Sequence, residues 1–346
     1  MRRTASPLSL VILGLGVFLL VLAPMLAWYV TPRAKVNPID IDSTTVLTGK
    51  GAYFDTGEVE TLENVNLTVT RQVRGDVADS TDDVAAWDVA TSIDPDKSLP
   101  ASSPHDSLQW TQERWVTDRR TNKAVHCCGE EPYFEGEAYL KFPFDVQERS
   151  YTWWDSTLGA TVPLTYRGKK TVGVDEDGDG KDDLTHEGLR FTAEVEPTRT
   201  GTRQVPGTLV GVDADQVLAE EWYENHGVEL VVDQRTGRIL YAQIGPRKTL
   251  RAPGADNDAV VLLDSEKLAF TDATLKDQIE LVKPDVDRLK LVSATLPIGS
   301  GALGLVLVVV GGVLVVRGRE RPAGATPEGP NAGTEPEAPA PVTAPV

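Results

Sequence analysis

The chain of 346 residues has few of the side chains that build catalytic and metal centres, with two cysteines, two methionines and four histidines. Two cysteines exclude a disulfide-stapled scaffold and a multi-cysteine zinc protein. The sequence shows no nucleophile, base and acid arrangement of a familiar hydrolase, so we predict that the protein is not an enzyme. Basic residues are also scarce, with 34 Lys and Arg against 52 Asp and Glu. We therefore expect no nucleic-acid partner, because phosphate binding needs a basic surface.

Long apolar runs occur at the two ends of the chain. Residues 8–30 form a run of 23 residues, enough to cross a hydrocarbon core of roughly 30 Å. Arg2 precedes this run and Arg317 follows the second one, residues 296–316; flanking basic residues mark the cytoplasmic side. A cleaved signal peptide is the alternative for the first run, but the run is long and lacks a small-residue cleavage site. The sequence predicts a two-pass cell-membrane protein with both termini in the cytoplasm.

The two apolar runs divide the rest of the chain into segments. Residues 1–7 are a short cytoplasmic N-terminus, and residues 317–346 are a Pro- and Ala-rich cytoplasmic tail whose composition predicts disorder. Between the membrane helices we expect an extracytoplasmic β-rich domain over residues 33–270 and a helical stalk over residues 271–295. The ends carry +4 up to residue 36 and −1 from residue 291, so the net charge of −18 leaves −21 in between. Such an acidic domain is not attracted to anionic lipid head groups.

Apolar and polar residues alternate with period two through the exterior segment, which is typical of half-buried β-strands. The strand-like stretches are residues 64–73, 110–117, 139–144, 189–195, 228–232 and 238–244. Clusters of Asp, Gly and Thr separate them, which favours hairpins over βαβ units. The predicted fold class is mainly β, an antiparallel β-meander or barrel-like domain. A helix is expected at 273–282, with Thr271 or Asp272 as its cap and a break or kink at Pro284.

An acidic loop carries the sharpest local motif. Carboxylates at alternate positions followed by Gly180 match the front half of a calcium-binding loop, and calcium requires six to eight oxygen ligands. The candidate ligands are Asp175, Asp177, Asp179, Asp183 and the backbone carbonyl of Lys181. The match then fails, because His186 stands where the bidentate Glu belongs. Calcium is thus a possible cofactor, and a solvated acidic hairpin loop is the alternative.

Cys127 and Cys128 are adjacent and follow His126. Outside the cytoplasm thiols tend to oxidise, which favours a vicinal or an intermolecular disulfide. Free thiols remain open as an alternative. A closed metal site needs four ligands, and no second cluster is present to supply them.

Two loops share the pattern Asp-x-Arg-Thr-(Gly/Asn)-basic, residues 118–123 and 233–238. Each lies between strand-like stretches, and its fifth residue, Asn122 or Gly237, suits the left-handed backbone of a hairpin loop. We interpret both loops as structural turns.

Aromatic residues are dense in the middle of the chain. We expect them to line an apolar cavity for a lipid, and ordinary core packing is the alternative. The candidate lining residues are Trp110, Trp115, Tyr139, Phe142, Phe144, Tyr151 and Trp153. Neighbouring strand residues point to opposite faces, so Trp153 is predicted to face inward and Trp154 outward.

Several segments together carry a family resemblance. They are residues 112–125, 140–146, 151–155 and 232–239, followed by the Leu-Pro entry to the last apolar run at 296–297. In this order they are similar to the actinobacterial envelope family known as porin PorA. The resemblance implies a barrel-like exterior domain associated with lipid binding and envelope glycolipid assembly. It carries no functional residues over to this chain.

These observations lead to one functional expectation. We expect a membrane-anchored envelope protein whose exterior β domain binds or shuttles an envelope lipid or lipoglycan precursor. The alternative is an acidic structural scaffold that recruits cell-envelope enzymes. Pore formation is less expected, because two helices rather than many apolar-faced strands would cross the membrane.

Overall fold

The computed structural model describes residues 6–95 and 107–320. The chain divides into two compact units, one made of the residues up to Ala23 and from Ile298 onward, the other of Pro24–Pro297. The predicted fold class is confirmed: the structure is mainly antiparallel β-sheet with an apolar helix towards each end. Most of the predicted N-terminus, 1–7, and tail, 317–346, lies outside the described residues.

The described α-helices lie towards the two ends of the chain. They are α1 (Pro7–Met25), α2 (Thr31–Ala34), α3 (Asp272–Lys290) and α4 (Leu296–Glu320). π-Helical turns at Leu26–Val30 and Leu291–Thr295 follow α1 and α3. The helical stretches that contain α1 and α4 are long and apolar enough to cross a membrane.

Glycines bring α1 and α4 into close contact. A Cβ added to Gly16 would lie 2.7 Å from the backbone nitrogen of Val308, and one added to Gly304 would lie 2.9 Å from the carbonyl oxygen of Gly16. Side chains at these positions would force the helices apart. Small residues thus allow the backbone approach that stabilises helix pairs in membranes.

One twelve-stranded sheet dominates the second unit. Its strands are β1 (Asp42–Asp55), β2 (Glu60–Asp76), β3 (Val84–Pro95), β4 (Gln109–Asp118), β5 (Tyr151–Asp155), β6 (Ala160–Val174), β7 (Leu184–Val205), β8 (Val217–Val232), β9 (Ile239–Ile244), β10 (Pro246–Arg251), β11 (Val260–Asp264) and β12 (Leu268–Phe270). The order is β4-β3-β2-β1-β11-β10-β8-β7-β6-β5, while β12 joins β1 to β9 and β9 pairs with β8. The pairings are antiparallel, as the spacing of the turns predicted.

The predicted strand at 139–144 does not form. Its backbone groups bond to other loops instead: the Asn122 side chain donates to the carbonyl of Lys141, and the amide of Phe142 donates to the carbonyl of Gly237 at 2.8 Å. Pro143 also lacks the amide hydrogen that a sheet ladder needs. The stretch therefore belongs to a long connection from β4 to β5.

This connection, residues 119–150, bridges the two edge strands of the sheet. Isolated bridges join Thr117 to Ala124 on the β4 side and Ala138 to Trp153 on the β5 side. Covering an edge removes the unpaired backbone groups that it would otherwise expose. Together, the sheet and the connection enclose an interior.

Aromatic rings fill one part of that interior. Phe142, Tyr151 and Phe191, named here the aromatic cluster, have ring centroids 5.0 to 5.7 Å apart. Tyr166 adds a fourth ring, 5.8 Å from Phe191. The rings are at mixed angles, as favourable aromatic pairs usually are.

Helix α3 packs against the sheet in the predicted stalk region. Thr271 caps it by accepting a hydrogen bond from the amide of Thr274, and the helix continues through Pro284 where we expected a break. Leu275, Ile279 and Val282 are buried against side chains of β6, β8 and β9. Burial of each such side chain contributes roughly 1.5–3 kcal/mol to the stability of the fold. The first half of the stalk is therefore part of the folded domain.

Candidate ligand cavity

The part of the interior that the aromatic cluster does not fill is a cavity of about 1590 Å³. This exceeds the range of about 300–1,000 Å³ typical of small-molecule sites. The cavity wall is built in rows, because residues directly opposite each other in an antiparallel pair lie on one face of the sheet. One row holds Leu47, Val69, Ile93 and Gln109, and the next holds Thr45, Arg71, Thr91 and Thr111.

The predicted aromatic lining residues divide between cavity and core. The cavity wall includes Trp115, Tyr139, Phe144 and Trp153. Phe142 and Tyr151 belong instead to the aromatic cluster, where their rings meet at 5.2 Å, and Trp110 is not on the cavity wall. The sequence also missed other aromatic wall residues, namely Phe54, Trp87, Trp154, Trp222, Tyr223 and Phe270. They lie outside the stretches that alternation predicted as strands, and local alternation does not show which face encloses empty space.

The expectation that Trp154 faces outward is wrong, since Trp154 is buried and both residues contribute to the cavity wall. Trp153 is half-buried, whereas Trp154 is 7% exposed and packs in a cluster with Phe134 and Tyr139. Those two residues come from the 119–150 connection, which covers β5 on the side that an open sheet would leave to solvent. Because both faces of β5 are covered, Trp154 does not face solvent as the prediction assumed.

Polar groups occupy one side of the cavity wall. The Nε of Arg71 donates to Thr91 at 3.3 Å, and burial lowers the pKa of Arg71 while nearby Glu113 and Asp155 raise it. Lys248 donates to Gln109 at 2.7 Å, and burial lowers the pKa of Lys248 as well. No described carboxylate lies within ion-pair distance of either cation. Both can therefore interact with a ligand.

The charge of the cavity wall is opposite in sign to that of the domain. Its basic residues are Arg71, Lys141, Arg203, Arg238, Lys248 and Arg288, and its acidic residues are Glu113, Asp155, Glu221 and Asp285. The six cations exceed the four carboxylates, although the chain as a whole carries −18. Burial raises the pKa of Asp155 and lowers the pKa values of Lys248 and Arg71, so it disfavours charged forms of both signs, and the excess of basic side chains gives the wall its character. An anionic group is thus better accommodated inside than on the surface.

Two indole N–H groups on the wall lack acceptors. The Nε1 atoms of Trp115 and Trp154 are buried and have no hydrogen-bond partner among the residues that the structure describes. An unpaired buried donor costs about 1–3 kcal/mol. Because both nitrogens are buried within the wall, this cost belongs to the packing of the wall itself.

The acidic loop brings only part of the predicted calcium ligand set together. Carboxylate oxygens of Asp175, Asp177 and Asp183 lie within 4.8 Å of one another. Asp179 is outside this group, and one of its carboxylate oxygens accepts the amide of Lys181 at 2.8 Å. The predicted ligand from Lys181 is its backbone carbonyl, which stays a prediction. Three carboxylates suit calcium, a hard cation with oxygen ligands, and further ligands would come from water or backbone carbonyls.

The cysteines form a vicinal disulfide between Cys127 and Cys128. His126 Nδ1 lies 2.9 Å from Glu130, and its ring stacks on Tyr133 with centroids 4.3 Å apart. With both sulfurs bonded to each other, neither is a thiolate that could bind a metal.

The two related loops form matching turns. Asp118 and Asp233 each accept hydrogen bonds from the backbone amides two and three residues later. Asn122 and Gly237 have φ values of 58° and 73°, the left-handed conformation that the pattern predicted. A Cβ at Gly237 would lie 2.2 Å from the carbonyl oxygen of Phe142, so glycine also permits close approach there.

Comparison with protein families matches the chain to the family model for Porin PorA, which covers residues 8–313. The matched part includes α1, all twelve strands and most of α4. A search of the curated proteins finds no match.

Proposed function

Because the chain belongs to the Porin PorA family and is a membrane protein of the cell envelope, we propose that its cavity binds an envelope lipid or lipoglycan precursor. The observation that carries the proposal is the cavity of about 1590 Å³, whose wall combines an apolar row with more basic than acidic side chains. Transfer of an acyl chain from water into this cavity gains about 0.8 kcal/mol of free energy per buried CH₂. Ten methylenes would supply about 8 kcal/mol.

The proposed role is binding or transfer, with no catalytic step. Ala34 and Leu289 both line the cavity, and each belongs to a segment that connects the sheet with one of the apolar helices. The proposed topology keeps both termini in the cytoplasm and residues 33–270 outside. Reporter fusions test it: a reporter after Val346 should be cytoplasmic and one inserted at Thr200 exterior. A cytoplasmic signal from the Thr200 insertion would reject this topology.

Filling the cavity tests the binding function. Thr45 lines the cavity, while the adjacent Thr44 is exposed and does not. Thr45→Trp should reduce the lipid extracted from the purified full-length chain, and Thr44→Trp should leave it at the wild-type amount. The scaffold alternative predicts no bound lipid in any of the three proteins, and that result would reject the proposal.

A further inference from the structure

Two basic residues are held together at one end of the cavity. The connection from β4 to β5 pairs with the loop before β9: the amide of Phe142 donates to Gly237 at 2.8 Å, and that of Val146 donates to Gln234 at 2.7 Å. Lys141 directly precedes Phe142 in the chain, and Arg238 is the last residue of the 233–238 loop. Both line the cavity, and their places are fixed by backbone hydrogen bonds.

Lys141 has no anionic partner in direct contact. Its ammonium donates to the Asn37 side chain and lies 3.8 Å from the centroid of the Phe144 ring. No carboxylate in the described parts of the chain comes within 4.0 Å of it. The pKa of Lys141 is lowered to about 7. Burial is the main cause and Arg238 acts in the same direction, while Asp285 and Asp233 oppose the shift.

Arg238 is also incompletely neutralised. Its Nη1 donates to Gln278 at 3.4 Å, and its Nη2 lies 3.7 Å from Asp285. Its Nε is buried and has no partner within the described residues. Asp233 is already engaged, because it accepts from Thr236 at 2.7 Å and contacts His186 at 2.9 Å.

From this geometry we infer that Lys141 and Arg238 form a subsite for the phosphate ester of an amphiphile's head group, an inference that rests on the proposed function. A planar guanidinium and an ammonium together suit phosphate oxygens, because charge-assisted hydrogen bonds are the strong ones. Arg238 has Asp285 at 3.7 Å as its ion-pair partner, so a phosphate oxygen would add a second anionic contact to its guanidinium. The negative charge would also relieve the repulsion between the two cations.

Protonation of Lys141 provides a readout that a structural role would not change. The charged groups that act on it are Arg238, Asp233 and Asp285, and Arg288 also lines the cavity. A bound phosphate ester raises the pKa of Lys141, so binding takes up a proton and weakens as the pH rises through 7. Between pH 6 and pH 8 the affinity should fall about tenfold.

The test uses the delipidated full-length chain in a non-ionic detergent and titration calorimetry at pH 6 and pH 8. The anionic probe is dihexanoyl phosphatidylglycerol, whose phosphodiester keeps one charge over this range. Dihexanoyl glycerol has the same chains without phosphate, and glycerophosphoglycerol has the head group without chains. Lys141→Met and Lys141→Gln are the test variants. Lys169→Met is the control, since Lys169 is exposed, pairs with Glu187 at 3.0 Å and does not line the cavity.

We expect both Lys141 variants to bind phosphatidylglycerol about tenfold more weakly at pH 6 and to lose the pH dependence. Their affinity for dihexanoyl glycerol should match that of the wild type, and Lys169→Met should behave as wild type with both lipids. Glycerophosphoglycerol should bind far more weakly than the lipid, which identifies the ligand as a lipid head group.

Three outcomes would overturn the inference. If both lipids bind and the Lys141 variants keep wild-type affinity and pH dependence, the subsite is rejected while the proposed function stands. If neither lipid binds the wild type, the proposed function fails and the inference with it. If glycerophosphoglycerol binds as tightly as the lipid, the ligand is a soluble phosphate ester and not a lipid.

Discussion

The interior of the sheet has a filled part and a hollow part, and adjacent stretches of chain supply both. Phe142 and Tyr151 meet Phe191 in the aromatic cluster, while Phe144 and Trp153, each two residues further on, line the cavity. In the cluster the rings fill the space between the walls; Phe144 and Trp153 border space that stays open. Aromatic density in the sequence therefore indicates an apolar interior without telling whether it is filled.

The largest effect should come from the filled part. Phe191 is fully buried and contacts three other rings, so Phe191→Ala should lower the free energy of unfolding by about 3–5 kcal/mol. Denaturant titration of the full-length chain measures this change. Lipid content per folded molecule should stay at the wild-type amount. A fall in the lipid content per folded molecule would show that the cluster also belongs to the binding site.

The hollow part should respond in the opposite way. Trp153 is half-buried on the cavity wall, so Trp153→Ala should cost less stability than Phe191→Ala but reduce co-purified lipid. Trp154→Ala should also reduce lipid, and it should cost more stability because Trp154 is nearly buried. Lipid extraction at matched folding compares the two variants. If both variants keep the wild-type lipid content, neither tryptophan ring belongs to the lipid site.

The smallest expected effect concerns the acidic loop, which lies outside the cavity wall. If Asp175, Asp177 and Asp183 bind calcium, the ion should stabilise the folded chain by about 1.4 kcal/mol at ten times its dissociation constant. Asp177→Ala should abolish the rise in melting temperature. Asp179→Ala is the matched control and should keep it, because Asp179 is outside the carboxylate group. If calcium does not change the melting temperature of the wild type, the loop is a solvated acidic turn and not a calcium site.

Local patterns in the sequence predicted much of the fold. Period-two alternation predicted stretches of β2, β4, β7, β8 and β9, and the left-handed residues Asn122 and Gly237 followed from one shared turn pattern. The 139–144 stretch shows where this reasoning fails: its alternation resembles that of a strand, but its backbone bonds to loops distant in sequence. The alternation of apolar and polar residues within one stretch cannot predict hydrogen bonds to loops that are distant in sequence.

The candidate site was less predictable than the fold. The aromatic residues drew attention to the right segment, yet the charged wall residues were hidden among many surface charges. Lys141 and Arg238 become neighbours only because the β4–β5 connection pairs with the 233–238 loop, nearly a hundred residues away. Repeated basic residues in the two turns were the available signal, and they indicated turn structure alone.

Native mass spectrometry of the full-length chain, released from a mild detergent, tests the central claim most directly. If the cavity is a lipid site, the wild-type chain should carry the added mass of one amphiphile, and Thr45→Trp should lose it while Thr44→Trp retains it. A wild-type chain that is folded and has only its own mass, under conditions that preserve a known lipid complex, would contradict the account.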